Sequence, residues 1–354
     1  MEFGIQLATA SYHWKVVKRA EELGFTHAWF YDTQLLNADP FVAMAAAAMQ
    51  TSRIKLGTGV LIPSNRIAPV AANALASLNA LAPGRIICAL STGFTARRTM
   101  GLPAVTLKRL EEYVRVIRGL LNKETIEWSE EGGAHKIRFI NPELELINLD
   151  DPIPIHLSAF GPKGRALTAK LGAGWMCGGN PRGAIAALGA MRQVWGEAGR
   201  DAKELYSTTF GNGCVLKPGE AADSPRARAQ AGPSATMVFH DLAEEEELGT
   251  LGFKPPPQFQ AQVAAYREIY RNYQPADARY LSNHRGHLMF LRPEEQALIT
   301  PELIRTMTFT GTEPELADMV RSVRDAGFSQ FAVTLRVGHE MEMLEDWHRV
   351  LSKL

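Results

Sequence analysis

The sequence predicts an α/β protein that folds as a TIM-type (β/α)8 barrel with insertions. Short segments rich in β-branched and aromatic residues alternate with segments of helical period along most of the 354 residues. This alternation is typical of parallel strands joined by helices. Eight strand segments can be counted, which is the number that closes such a barrel. No Gly-x-Gly-x-x-Gly follows the first strand, so an open dinucleotide-binding sheet is disfavoured.

Eight segments have the composition of buried parallel strands, and turn or helix-capping residues separate them. The active sites of β/α barrels lie where the strands end, on the loops that lead into the helices. The candidate site residues are therefore sought directly after these segments. In chain order the predicted strands are Phe3–Ala8, His27–Asp32, Ile54–Val60, Ile86–Thr92, Pro154–Phe160, Ala173–Gly179, Leu205–Leu216 and Gln330–Leu335.

The predicted helices are marked by apolar stripes and by capping residues. Asp39-Pro40 combines an N-cap with a proline in the first turn. Thr312 and Glu315 have the spacing of a capping box. The predicted helices cover residues 14–23, 40–50, 69–81, 107–121, 165–171, 312–326 and 340–352.

Residues 217–305 interrupt the alternation, and we interpret them as an insertion within one domain spanning residues 1–354. The segment is predicted to be partly helical around 258–273 and to lie near the barrel mouth as a lid or a partner contact. Its acidic run Glu244–Glu247 is expected to be a solvated face. His284 and His287 have an HxxH spacing, but no further metal ligands can be identified. A polar turn or a substrate-facing loop is expected there instead.

Composition excludes several classes of partner. Lys+Arg and Asp+Glu are both 38, so no net field attracts nucleic acid or an acidic membrane. Near-zero charge is compatible with a homo-oligomer, either a dimer or a tetramer. The three cysteines lie far apart in the sequence, which fits a reducing compartment. No signal peptide or membrane-spanning stretch is visible, so a cytoplasmic location is expected.

Glycine-rich strand ends are the first candidates for ligand binding. The turn Ser158-Ala159-Phe160-Gly161 leads into a helix, whose free N–H groups suit a phosphate. An ordinary βα turn is the alternative interpretation. Gly178-Gly179 end the next strand and either admit a ligand close to the backbone or simply terminate the strand.

Other strand ends supply polar and bare-backbone positions. Thr92-Gly93 could border a planar ring, although this is also common turn chemistry. His13 follows the first strand, and Asn65 and Arg66 follow the third. All three are predicted to lie in the substrate pocket, with solvent-facing loop residues as the alternative.

Several stretches resemble the luciferase-like monooxygenase superfamily, over roughly residues 1–215 and 305–354. That group includes bacterial luciferase, flavin-dependent monooxygenases, and deazaflavin-dependent reductases such as methylenetetrahydromethanopterin reductase. The resemblance implies a barrel that holds FMN or a deazaflavin at its carboxyl end. The stretches are EELGFTHAWFYD, RIKLGTGVLIPSNRIAPVAANALASLNALAPGRIICALSTG, PIHLSAFGPKGRALTAKLGAGWM and FTGTEPELADMVRSVRDAGF.

The resemblance also implies roles for particular residues. Gly59-Val60 match a bulge after the third strand that supports the ring, often through a non-proline cis peptide. Thr92-Gly93 match a pair that contacts the ring. Ser158 to Gly161 and Gly178-Gly179 match the phosphate side, and Asp32 matches an acid close to the coenzyme.

One subgroup of the family departs from this sequence. Deazaflavin-dependent sugar-phosphate dehydrogenases have a His after that Asp and a Glu after the Thr-Gly pair, whereas Thr33 and Phe94 stand here. The lack of a proton-transferring group at these positions favours a monooxygenase that uses reduced FMN, O2 and a small organic substrate, with a separate flavin reductase. Apolar walls for such a pocket are expected from Phe94, Phe160, Trp175 and Met176. Deazaflavin hydride transfer and non-catalytic flavin binding are the alternatives.

Overall fold

A closed barrel of eight parallel strands forms the centre of the computed structural model, which describes residues 1–130, 132–249 and 255–354. The strands neighbour one another in the order β1-β12-β9-β8-β7-β4-β3-β2, and β2 closes the circle against β1. The predicted barrel is therefore confirmed. Two short two-stranded sheets, β5-β6 and β10-β11, lie outside it. The strands are β1 (Glu2–Leu7), β2 (His27–Phe30), β3 (Lys55–Thr58), β4 (Ile86–Leu90), β5 (Ile126–Glu130), β6 (Gly133–Ile137), β7 (Ile155–Ser158), β8 (Gly174–Gly178), β9 (Ser207–Gly211), β10 (Val215–Leu216), β11 (Gly311–Thr312) and β12 (Gln330–Thr334).

Helices follow the barrel strands and cover them from outside. Their apolar faces join the strand residues in a continuous core that includes Val17, Leu75 and Trp347. The helices are α1 (Trp14–Glu22), α2 (Pro40–Ala48), α3 (Ala68–Leu81), α4 (Thr95–Arg98), α5 (Leu107–Leu121), α6 (Pro162–Leu171), α7 (Pro181–Glu197), α8 (Pro225–Ala235), α9 (Met237–Ala243), α10 (Glu245–Leu248), α11 (Gln260–Arg271), α12 (Tyr280–Asn283), α13 (Pro301–Met307), α14 (Glu313–Asp325) and α15 (Glu340–Leu351).

Helix caps are among the local predictions that are confirmed. The Asp39 carboxylate accepts hydrogen bonds from the N–H groups of Phe41 and Val42 at the start of α2. Thr312 and Glu315 form the reciprocal capping box of α14. Each device satisfies N–H groups that a helix leaves without partners in its first turn.

Two element predictions need correction. The segment predicted as strand Leu205–Leu216 divides into β9 and the separate β10, because Val215 and Leu216 pair with β11 outside the barrel. The helix predicted at 165–171 already begins at Pro162, where proline suits the first turn. The stretch 125–150, between α5 and β7, contains the hairpin β5-β6 and a 3-10 turn.

The insertion packs on the carboxyl end of the barrel and has a small apolar core of its own. Phe239, Tyr266 and Leu303 belong to that core. The predicted helical stretch at 258–273 corresponds to a 3-10 turn followed by α11, while residues 250–254 lie outside the described part of the chain. The insertion is joined to the barrel by Arg336, which follows β12 and donates hydrogen bonds to the carbonyls of Gln230 and Leu288, both at 2.9 Å.

The three cysteines do not form disulfides with one another. Cys88, Cys177 and Cys214 are free and buried, and burial raises the pKa of each thiol to about 12. In the described part of the chain, the helices lack the combination of length and apolar character needed to cross a bilayer.

Candidate functional site

A pocket opens at the carboxyl end of the barrel, among the loops that follow β2, β3, β4 and β7. Loop residues from four strands and two residues of the insertion form its wall. This is the end of the fold at which β/α barrels place their active sites. Its lining includes Tyr31, Asp32, Thr33, Gly59, Val60, Ile62, Ser91, Gly93, Phe94, Ser158, Phe160, His287 and Leu288.

The backbone after β3 forms one wall of the pocket. The peptide bond between Gly59 and Val60 is cis, as the resemblance led us to expect. The Gly59 carbonyl accepts a hydrogen bond from Gln6 Nε2 at 3.2 Å. A Cβ atom at Gly59 would lie 2.8 Å from Cβ of Trp29, so the tight packing against β2 requires glycine here.

Asp32 lies at the pocket wall, but neighbouring groups hold its carboxylate. Arg66 Nη1 donates to Oδ1 at 3.0 Å, and Asn65 Nδ2 donates to Oδ2 at 3.1 Å. The Ile62 N–H also donates to Oδ2, at 3.2 Å. Burial raises the pKa of Asp32, and the Arg66 guanidinium opposes that rise. The carboxylate thus fixes the loop after β3 onto the end of β2.

The three residues predicted for the substrate pocket do not line it in the described structure. Asn65 and Arg66 stand behind Asp32 and support it. His13 is buried at the start of α1, where its Nε2 lies 3.3 Å from Oε1 of Glu340. Its ring also packs edge-on against Tyr12. Any part that these residues play in substrate binding would therefore be indirect.

The residues predicted for the phosphate side meet at the ends of β7 and β8. The Ala159 N–H donates to the Met176 carbonyl at 3.2 Å, which places the two turns side by side. Gly161 begins α6 without a side-chain cap. Cβ atoms at Gly161, Gly178 and Gly179 would meet no heavy atom within 4 Å. These glycines therefore border open space, with first-turn N–H groups of α6 beside them.

The remaining predicted positions divide between pocket and core. Gly93 lines the pocket with φ +81°, while the Thr92 carbonyl accepts a hydrogen bond from the Val105 N–H at 2.9 Å. Phe94 and Phe160 line the pocket as expected. Trp175 and Met176 are instead fully buried, because they are neighbours in β8 whose side chains pack on opposite faces of the strand, each in its own apolar cluster.

Phe94 connects the pocket to the insertion. The Arg98 guanidinium carbon lies 4.1 Å from the centre of the Phe94 ring, a distance suited to a cation–π contact. Arg98 Nη1 also lies 3.3 Å from Asp241 Oδ1 and 3.3 Å from Glu244 Oε2. The short helix after β4 is thereby fastened to α9 and to the turn that follows it.

Glu244 corrects the prediction that the acidic run is a solvated face. Its side chain is fully buried, while Glu245 and Glu246 are exposed. Besides Arg98, it contacts His284 Nε2 at 2.9 Å and accepts a hydrogen bond from Asn283 Nδ2 at 2.7 Å. Burial raises the pKa of Glu244, but the hydrogen bond from His284 and the nearby charges outweigh it and lower the pKa overall.

His287 lies in the stretch for which the sequence predicts a polar turn or a substrate-facing loop, and it lines the pocket. It is 5% exposed, lines the pocket beside Phe94, and lies with its Nδ1 3.0 Å from Nδ1 of His240. His240 Nε2 lies 2.6 Å from Glu295 Oε1. The HxxH spacing did mark His287, but its partner His240 lies 47 residues away along the chain, and no local pattern links these two to Glu295. Among the described residues, no group of three metal-ligating side chains has the arrangement of a metal site.

A larger cavity, of about 700 Å³, lies at the opposite end of the barrel. His27, His156 and Tyr206 line it, close to the amino ends of their strands. Burial lowers the pKa of both histidines to about 3. Because the amino end of a β/α barrel generally contributes stability rather than chemistry, the smaller pocket is the better candidate for the site.

The carboxyl-end pocket fits a flavin or deazaflavin coenzyme. Next to its lining residues Ser158 and Phe160, Gly161 follows along the chain, and the open space at Gly161 and Gly178-Gly179 can admit a phosphate close to backbone N–H groups. His287 Nε2 is a buried polar atom with no hydrogen-bond partner in the described structure, and such an atom favours a ligand group opposite it. The Gly59-Val60 wall and the Phe94 ring can flank a planar ring.

Comparison with known proteins identifies related chains. The family model described as luciferase-like monooxygenase matches residues 3–330. The 5,10-methylenetetrahydromethanopterin reductase of Methanolobus tindarius is 31% identical over 248 residues, which are 68% of this chain and 71% of that protein. The F420-dependent hydroxymycolic acid dehydrogenase of Mycobacterium tuberculosis is 32% identical over 227 residues, covering 59% of each chain.

A solved structure shares the whole architecture. The coenzyme F420-dependent tetrahydromethanopterin reductase from Methanopyrus kandleri superposes with a TM-score of 0.73, covering 98% of this chain and 97% of that one. Sequence identity between the two is 20%. At that identity the likeness concerns the fold.

Proposed function

Because the chain belongs to the luciferase-like monooxygenase family, we propose that it is an oxidoreductase that transfers hydride between a deazaflavin coenzyme and a small organic substrate. Two of the relatives described above carry F420, a deazaflavin, in their names. Oxidised deazaflavin accepts a hydride and its reduced form donates one. The proton that accompanies the hydride must be transferred by a side chain of this protein.

The observation that carries the proposal is the position of His287 beside Phe94 in the pocket. The sequence favoured FMN-dependent oxygenation because Thr33 and Phe94 occupy positions where relatives have acid and base groups. His287 now provides a titratable group on the same wall, contributed by the insertion. Hydride transfer to or from a carbon that bears oxygen needs such a group for the accompanying proton.

The residues that would hold the coenzyme lie at the strand ends predicted from the sequence and in the helix turn that follows one of them. Gly59 and Val60 would support its ring, and Phe94 would face it across the pocket. Backbone N–H groups of Lys163 and Gly164, in the first turn of α6, would bind its phosphate. Phe160 and the insertion would limit the access of water.

Separate titrations of the purified protein with oxidised F420, FMN and reduced FMN test the proposal. We expect F420 to bind at least about tenfold more tightly than either form of FMN, a difference of about 1.4 kcal/mol. Tighter binding of reduced FMN, followed by substrate oxygenation when O2 is admitted, would support the monooxygenase instead. Tight F420 binding with no hydride transfer to or from any tested substrate would indicate a coenzyme-binding protein without catalysis.

A further inference from the structure

We propose that His287 is the catalytic proton acceptor of this site, with a bare Nε2 that Glu295 and His240 hold toward the pocket. This inference rests on the proposed function and deepens it. It names an alcohol as the substrate class for the oxidative direction. The three side chains form a hydrogen-bonded row from Glu295 through His240 to His287, and its last ring lines the pocket.

The first contact fixes the proton of His240. Burial raises the pKa of Glu295, but the hydrogen bond from His240 and the Arg292 guanidinium outweigh it and lower the pKa to about 2. Glu295 is therefore ionised and can only accept hydrogen bonds. A bare Nε2 on His240 would place a lone pair 2.6 Å from the carboxylate oxygen. Arg292 Nη2 also lies 3.3 Å from this nitrogen, but it donates to Glu295 Oε1 at 2.5 Å, so the shorter contact with the carboxylate places the proton of His240 on Nε2.

The second contact fixes the proton of His287. Burial lowers the pKa of His240, so its ring is neutral, and with a proton on Nε2 its Nδ1 is an acceptor. His287 Nδ1 lies 3.0 Å away and must supply the proton of that hydrogen bond. His287 is neutral as well, because burial lowers its pKa further and His240 adds to that effect. Its Nε2 is left with a lone pair.

No described residue engages that lone pair. His287 Nε2 has no hydrogen-bond partner among the described residues, and the ring lies beside Phe94 in the pocket wall. The other charged or titratable groups near the ring are engaged elsewhere: His284 with Glu244, and Arg292 with Glu295. Arg98 is paired with Asp241 and Glu244.

The backbone around His287 is also held in place. Gly286 and Leu288 both have left-handed backbones, with φ of +71° and +59°. The Leu288 carbonyl accepts a hydrogen bond from the buried Arg336 at 2.9 Å. A left-handed leucine costs free energy that the surrounding contacts must offset. This anchoring presents the imidazole to the pocket in one orientation.

The chemistry that follows is the oxidation of an alcohol. His287 Nε2 would accept the O–H proton of a bound alcohol as the C–H bond of its carbinol carbon breaks. The hydrogen of that bond would leave with both bonding electrons as a hydride, for which an oxidised deazaflavin would be the two-electron acceptor, and the carbon–oxygen bond would become a carbonyl. In the imidazolium that forms, Nδ1–H still donates to His240 Nδ1, and the Nε2–H of His240 still donates to the Glu295 carboxylate, so the row of hydrogen bonds is kept.

The tautomer of His287 can be measured without coenzyme or substrate. Long-range 1H–15N correlation spectra of the protein labelled in histidine should show a neutral His287 ring protonated on Nδ1 near neutral pH, with the signal assigned through His287→Gln. In Glu295→Gln the amide can either accept from or donate to His240, so a mixture of His287 tautomers is expected. A ring protonated on Nε2, or a tautomer unchanged in Glu295→Gln, would overturn the relay.

Turnover tests the catalytic role. With oxidised F420 and a panel of short secondary alcohols as probes, His287→Gln should lower kcat by about a hundredfold or more and change the Kd for F420 by less than about threefold. His284→Gln is the matched control, since that histidine is equally buried and lies outside the pocket lining. It should lose thermal stability to a similar extent and keep its kcat within about threefold.

The outcomes separate the two proposals. Failure of the wild-type protein to bind F420 would refute the proposed function while leaving the tautomer result to stand alone. Binding of F420 without oxidation of any alcohol in the panel would overturn the inference about the substrate class. Full kcat in His287→Gln would overturn the assignment of the proton acceptor.

Discussion

Nδ1 of His287 lies 3.0 Å from Nδ1 of His240, although 46 residues separate the two in the sequence. His240 belongs to α9, and His287 follows α12 within the same insertion. The contact matters because one ring lines the pocket and the other meets the Glu295 carboxylate. The insertion is thereby part of the candidate site and not only a cover over it.

Arg66 pairs with Asp32 and with Asp39. The buried Asp32 carboxylate should contribute much more to the free energy of unfolding than the exposed Asp39 carboxylate. Asp32→Asn leaves the partly buried Arg66 without its main partner and should lower the free energy of unfolding by about 2–3 kcal/mol. Asp39→Asn removes an exposed partner of Arg66 and keeps a good N-cap, so it should cost no more than about 1 kcal/mol. Urea unfolding of both variants measures the difference, and equal losses would contradict the assigned role of Asp32.

Substitutions within the acidic run should differ sharply according to burial. Glu244→Gln removes the charge that faces Arg98 and His284, and we expect a loss of about 2–4 kcal/mol. Glu246→Gln, on the exposed side of the run, should change stability by less than about 0.5 kcal/mol. Thermal and urea unfolding provide the measurement. A loss for Glu244→Gln as small as that of the exposed variant would show that the salt bridges to the insertion contribute little.

Stability should fall with acidification because of the histidines at the amino end of the barrel. Burial lowers the pKa of His156 to about 3, below the ordinary value of about 6.5. Between these values the unfolded chain binds the extra proton, so this contribution is complete above pH 6.5 and is lost as pH falls. Each such histidine adds a slope of about 1.4 kcal/mol per pH unit.

Replacing His156 isolates this contribution. Unfolding free energies of His156→Gln between pH 7 and pH 5 should show an average pH slope smaller by about 1 kcal/mol per unit than that of the wild type, because the full slope is reached only well below pH 6.5. His135→Gln, on the exposed hairpin strand β6, should keep the wild-type slope. An unchanged slope in His156→Gln would mean that this ring is already charged or solvated in the folded state.

A bulky side chain at Gly161 should harm coenzyme binding more than folding. The glycine has φ −84° and open space where its Cβ would lie, so leucine fits the fold but occupies the proposed phosphate position. We expect Gly161→Leu to raise the Kd for F420 by about tenfold or more while the melting temperature changes little. Gly189→Leu in α7 also meets open space and should bind like the wild type. Equal affinity in the two variants would remove the α6 turn from the coenzyme site.

The barrel could be predicted from the sequence because its signals are local. The Asp39 cap, the stripe from Leu107 to Leu121 and the Thr312–Glu315 capping box each lie within a few turns of chain, and all three helices form where expected. The glycines at the strand ends are also local signals, so the backbone positions near the pocket could be predicted as well. The strand predicted at 205–216 was too long because an apolar run does not reveal where pairing changes partner.

The polar part of the site could not be predicted in this way. The burial of Glu244 depends on Arg98, which lies 146 residues earlier and is brought close only by the docked insertion. Asn65 and Arg66 are residue types that often line pockets. In the folded chain both side chains instead donate hydrogen bonds to the Asp32 carboxylate. The proton-accepting role proposed for His287 depends on the hydrogen bonds that link it to His240 and His240 to Glu295, and these form only in the folded chain.

A crystal structure of the protein with oxidised F420 tests the central claim most directly. We predict that the coenzyme ring lies against Gly59 and Val60 at the carboxyl end of the barrel, with His287 Nε2 facing the substrate space beside it. The phosphate should contact the N–H groups of Lys163 and Gly164. Binding in the cavity around His27 and His156, or density for FMN but none for F420 at the carboxyl-end pocket after equal soaking, would contradict the account.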